Sequence, residues 1–168
     1  MNTLIIVIAV QTLLLAYHQI TTWFDLSPFN GTRHYTNKER LAETGVNAIL
    51  MSLPPIGFAL HNHGLMIFGV VYYFVLLTME IVIWWIPYIS MPSHQWRTPY
   101  NSLLALATSN FMAKDPLNDW LAVHERIHAD TMTVLPRIRG RIVPNLEHMI
   151  LHGWTAITAI VTASYYFS

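Results

Sequence analysis

The sequence predicts an all-α, polytopic integral membrane protein with four transmembrane helices, and three observations carry that prediction. Hydrophobic residues make up 54% of the 168-residue chain, while Asp, Glu, Lys and Arg together make up 11%, where a soluble domain carries about a quarter. The charges are not thinned evenly but leave long uncharged runs. Every Lys and Arg then falls into just two of the segments between those runs. The length suits a single membrane domain covering 1–168.

The first run reaches from Met1 to Phe24 without a charged side chain, and its aliphatic centre gives a span over about 3–23. Met1-Asn2-Thr3 carries no basic residue and no small-residue cleavage site follows, so a retained first helix is expected rather than a secretory leader. Asp25 to Glu43 is a polar loop leading into a second helix near Asn37, with a span over 44–60 in which Pro54-Pro55 predicts a kink or break. His61-Asn62-His63-Gly64 is a tight connection to a third span over 64–86, interrupted only by Glu80.

A long polar insertion, 87–143, follows. Its one apolar segment, Pro99 to Ala113, is short for a hydrocarbon core of roughly 30 Å, which predicts an interfacial or re-entrant helix. Asp115-Pro116 supplies an N-cap and a first-position proline for an amphipathic helix running to Leu135, where Pro136 stops it. Pro144-Asn145 opens the last helix, a fourth span over 146–167. With these spans all nine Lys and Arg lie on one side, so the positive-inside rule puts both loops in the cytoplasm and both termini on the non-cytoplasmic side.

This topology sorts the ionisable residues by depth. His61 and His63 fall in the outer turn, whereas His18, His34, His94, His124, His128, His148 and His152 belong to the inner side. Glu80, sixteen residues into its span, is about 24 Å along the helix and so near its inner end. Glu43 and Asn47 start the second helix from that end, and Glu147 starts the fourth. An ionisable group such as Glu80 within a span is costly and marks a functional candidate. The doublets Tyr72-Tyr73, Trp84-Trp85 and Tyr165-Tyr166 are expected to be lipid-facing or interfacial anchors.

In the helix opened by Asp115, residues Leu117, Leu121, His124, His128, Thr131 and Leu135 recur at steps of three and four, which gives one buried stripe. His124-Glu125-Arg126-Ile127-His128 is a complete HExxH, in which two histidines one turn apart can share a metal and the intervening Glu can reach its bound water. His148 and His152 repeat the one-turn spacing on the fourth span, just after Glu147. The stretch from His124 to Glu147 resembles the zinc metallopeptidases whose third ligand is a Glu on a following helix. The resemblance implies zinc held by His124, His128 and Glu147, with Glu125 as general base.

Cysteine is absent, which excludes disulfides, thiolate metal sites and cysteine nucleophiles, and a net charge of zero gives no reason to expect nucleic acid. Three readings follow. The first is a zinc-dependent hydrolase with Glu125 catalytic and metal ligands among His124, His128, Glu147, His148 and His152. The second is an oxidoreductase of the membrane histidine-cluster type, using iron, copper or a haem on a lipid-like or quinone substrate, with Glu80, His18, Glu43, Asn47 and His94 as further candidates. It lacks the adjacent His-His pairs of membrane desaturases and hydroxylases. The third is a non-enzymatic subunit or carrier that moves protons or metal ions. A divalent metal is common to the first two. The expected partners are the lipid bilayer and a membrane-embedded or lipid-like substrate, and an oligomer or larger complex is compatible with the sequence.

Overall fold

The computed structural model describes residues 3–90, 100–103, 105 and 115–168. His94 and most of the 99–113 segment lie outside the described residues. Among the described residues the regular structure is helical throughout: α1 (Thr3–Trp23), a 3-10 turn at Thr32–His34, α2 (Asn37–Ala59), α3 (His63–Ile89), α4 (Pro116–His128) and α5 (Leu146–Tyr166). α1, with 21 residues, and α3, with 27, are long and apolar enough to cross a membrane.

Local chemistry explains the helix ends. Thr36 and Glu39 form a capping box at the start of α2, the Thr36 hydroxyl accepting from Glu39 N and the Glu39 carboxylate from Thr36 N at 2.8 Å. At the far end His61 takes a left-handed φ of 52°, which lets His61 N donate to Phe58 O and Asn62 N to Gly57 O. That pair is a Schellman stop. Asn62 then caps α3 by accepting from Leu65 N, so two residues reverse the chain.

α2 runs through Pro54 and Pro55 without the expected break. The two prolines forgo one backbone bond each, but Gly69 opposite leaves room for α3 to pack on the Pro54 ring, where a Cβ would come within 2.9 Å. α3 is α-helical to Glu80, makes a π-helical turn over Ile81–Trp85, and ends in a short α-helical turn, Ile86–Ile89.

α4 stops at His128 rather than at Leu135. Thr131 N turns back to His128 O, Met132 N donates to Pro28 O at 2.8 Å, and Leu146 N donates to Met132 O at 2.8 Å. Those bonds to distant backbone replace the ones a longer helix would have made. The expected stripe survives as far as Thr131, with Leu117, His124, His128 and Thr131 buried.

α1 and α3 each pack against both α2 and α5, which closes a four-helix bundle. One layer takes a residue from each helix, Leu14, Met51, Tyr73 and Ala159. A second, towards the α2–α3 turn, holds Val7, Phe58 and Met66. The opposite end carries the loops and α4, which lies against the 3-10 turn. Gly31 sets that contact, since a Cβ there would run into the Ile127 carbonyl of α4. Gly31→Ala is therefore expected to cost about 1–3 kcal/mol by overpacking, read as a lowered unfolding temperature in detergent. Gly45→Ala, which meets nothing within 4 Å on α2, should hold or raise that temperature; equal behaviour of the two variants would contradict the close contact.

Candidate metal centre

Two clusters of ionisable side chains meet at the loop end of the bundle, and His148 belongs to both. The first gathers His124 and His128 from α4 with His148 and His152 from α5. Successive ring centroids lie 5.2, 5.0 and 5.8 Å apart along the order His124, His128, His148, His152. The indole of Trp84 sits among them, 3.9 Å from the His148 ring, 5.3 Å from those of His124 and His128, and 6.1 Å from that of His152.

Hydrogen bonds assign the tautomers of these rings. His124 Nε2 donates to Val143 O at 3.1 Å, which leaves Nδ1 with a free lone pair. The Asn145 side-chain oxygen caps α5 by accepting from His148 N at 2.9 Å and also accepts from His148 Nδ1 at 2.6 Å. His148 therefore keeps its lone pair on Nε2. The Asn145 nitrogen, facing the other way, donates to His128 Nδ1 and to Thr131 Oγ1, both at 3.3 Å. Trp85 Nε1 donates to His152 Nδ1 at 3.0 Å. His128 and His152 thus carry their protons on Nε2, while His124 and His148 present lone pairs in the manner of metal-binding histidines whose other nitrogen is anchored by an oxygen. Burial lowers the pKa of His124, and burial with the neighbouring His124 takes His128 down to about 3, so both are neutral at pH 7.

The second cluster surrounds an internal cavity of about 20 Å³, lined by His18 from α1, Glu43 from α2, Glu147 and His148 from α5, and Tyr35 with Thr21, Thr22 and Thr32. That volume holds one water-sized occupant. His18 Nε2 lies 3.7 Å from Glu43 Oε1 and 3.2 Å from Asn47 Nδ2, and His148 Nδ1 lies 3.9 Å from Glu147 Oε2. The Thr21 and Thr22 hydroxyls both donate to His18 O, at 3.3 and 2.8 Å. Among the described residues no three His, Asp or Glu side chains form a ready ligand shell. In the histidine cluster an indole fills the middle.

The candidates from the sequence are therefore divided. Glu147, His148, His18, Glu43 and Asn47 come together at the cavity; His124, His128 and His152 surround Trp84; and Glu125 is exposed on the flank of α4. Glu80 is buried deeper in the bundle, accepting from Thr155 Oγ1 at 2.9 Å. Arg126, exposed on the flank of α4, bonds His34 O and Glu39, both at 2.6 Å, which pins α4 to the first loop.

Trp84 and Tyr73 correct the reading of the aromatic doublets as outward anchors, since both are buried. The sequence signal lay in Trp84 following Glu80 by one turn, on the same face of the helix. Asn145 was legible as a cap but not as a bridge. Comparison with protein-family models, curated proteins and solved structures finds no match.

Replacing Asn145 separates its two roles. Asn145→Asp keeps the oxygen that caps α5 and holds His148, and loses the bonds to His128 and Thr131. Asn145→Ala loses both sets and should cost a further ~1 kcal/mol or more, the usual worth of a cap. Thermal unfolding of the two variants measures this: equal losses would refute the cap, and an Asn145→Asp protein as stable as the parent would refute the bridge.

Proposed function

We propose that this protein is a membrane-embedded metalloprotein whose four long helices, α1, α2, α3 and α5, cross the bilayer, with a histidine–carboxylate centre at the cytoplasmic end. The membrane part of the reading is supported by a polarity inverted relative to a soluble bundle. Inside are Gln11, His18, Glu80, Thr155, Thr158 and Thr162, each no more than 8% exposed. Outside, α1 presents Leu13 and Ile20, α2 Val46 and Ile49, α3 Val71 and Phe74, and α5 Ile157 and Ile160, each at least 45% exposed. Water would penalise this arrangement and hydrocarbon would favour it.

The cavity between Glu43, Glu147, His18 and His148 carries the metal reading. Two carboxylates and two imidazoles from three helices make a mixed oxygen and nitrogen donor set, which suits a divalent iron, manganese or zinc ion. The donor set favours the oxidoreductase reading over the HExxH hydrolase, because Glu125 is exposed and Glu147 lines the cavity with Glu43 and His18. The substrate class this position fits is membrane-embedded or lipid-like, as it lies where bilayer and loops meet.

Two measurements test the proposal. Reporter fusions after Ser168 and within 30–37 should lie on opposite sides of the membrane, with the C-terminus outside; the same side for both removes the four-span arrangement. Metal analysis with an optical spectrum of the purified protein should give bound divalent metal, lost in Glu147→Ala, His148→Ala and Glu43→Ala, and kept in Glu125→Gln. Absence of metal, or metal that survives Glu43→Ala but not His124→Ala, would overturn the cavity site, and the second outcome would return the assignment to HExxH.

A further inference from the structure

The bundle interior contains more polar atoms than its hydrogen bonds use. Glu80 Oε2, His152 Nε2, Thr158 Oγ1, Tyr73 OH and Gln11 Oε1 are all buried and have no hydrogen-bond partner among the described residues. Their residues lie along one seam. On α5, His152, Thr155, Thr158 and Thr162 follow one another at steps of three and four, so they share the face turned towards α1 and α3. Glu80 meets that face through Thr155, and Gln11 meets it through Thr162, to which its Nε2 donates at 3.0 Å.

The orphaned groups are chemically complementary. His152 Nδ1 accepts from Trp85, so Nε2 is an N–H donor, and Glu80 Oε2, one helical turn along the same seam, is an acceptor. A water molecule can serve both, since it donates and accepts. Tyr73 belongs to the apolar layer with Leu14, Met51 and Ala159, Thr158 adjoins Ala159 on α5, and their hydroxyls offer the next such positions. Beyond Gln11 and Thr162 the seam meets Val7, Phe58 and Met66, an apolar layer at the α2–α3 end. At the other end His152 is in ring contact with His148, which lines the loop-side cavity.

We propose that this seam is a hydrated blind channel, entered from the loop side and closed by the Phe58 layer, through which water and protons reach Glu80. Glu80 is its proton-exchanging group: a proton arriving along the waters from the loop side is taken up at Oε2 and released along the same waters, while His152, with its proton on Nε2 and its Nδ1 bonded to Trp85, only orients the adjacent water. The proposal rests on the membrane reading above and not on the metal.

The chain has no cysteine, so single cysteines report hydration against an empty background. Thr158→Cys and Thr162→Cys in native membranes should be blocked by silver ion, a water-sized thiolate reagent, roughly tenfold or more faster than Ile157→Cys on the outer face, as read by later maleimide labelling in detergent. Adding Glu80→Leu to Thr158→Cys should slow the blocking, and Glu80→Gln should not. Equally slow blocking at all three positions means a dry seam and overturns the channel alone. Fast blocking at Ile157→Cys as well puts the outer face in water and overturns the membrane reading together with it.

Discussion

With one oxygen the side chain of Asn145 accepts from the first turn of α5 and from the imidazole of His148, and with one nitrogen it donates to His128 and Thr131. It is fully buried, and four bonds from one carboxamide tie the end of α4 and the residues just after it to the first turn of α5. α4 ends where it does because Thr131 is drawn into this group, and α5 begins where it does because the same oxygen is its cap. The tautomers follow too. An amide has one acceptor end and one donor end, so His128 and His148 must offer opposite nitrogens to it. Everything the site can bind depends on which lone pairs remain.

The inverted polarity of the bundle sets the second constraint. Each unpaired buried polar group costs about 1–3 kcal/mol, and a bundle of this size could not carry several such groups without partners unless they serve a purpose or are solvated. The threonines on α5 limit the cost. The single Thr155 hydroxyl proton has two acceptors within reach, Glu80 Oε1 at 2.9 Å and the Leu151 carbonyl behind it at 3.0 Å. A hydroxyl that can fall back on its own helix is a cheap lining for a seam that must be polar only when something is in it.

Much of this was legible in the sequence, and the parts that were share a physical cause. Apolar run length located the four long helices, since a run of about twenty uncharged residues has few other uses. The Asp115-Pro116 and Pro144-Asn145 pairs gave the starts of α4 and α5, and the end of the polar loop near Asn37 gave that of α2. The end of α4 was not legible, because Met132 and Leu146 bond to each other and to Pro28, and long-range backbone pairing leaves no local mark. That the helix would continue unbroken through Pro54-Pro55 was not legible for the same reason: Gly69, which packs on the Pro54 ring, lies on another helix. At the site, one-turn histidine spacing brought out His124, His128, His148 and His152, whose rings the structure places side by side. It joined Glu147 to His124 and His128 by distance along the chain, whereas α5 turns Glu147 towards α1 and α2.

His148 lies in both clusters and so couples them. Its ring packs 3.9 Å from Trp84 at a shallow 33°, a near-stacked contact that fixes the ring plane, while Asn145 fixes the Nδ1 end. A ring held at its face and at one nitrogen has little freedom to swing, so its remaining lone pair is aimed before any ligand arrives. Preorganisation of this kind is what a binding site needs from its supporting residues. Trp84 fills the space among the four histidines, its indole 3.9 to 6.1 Å from their rings, and so belongs to the same packed unit that holds the His148 ring in place.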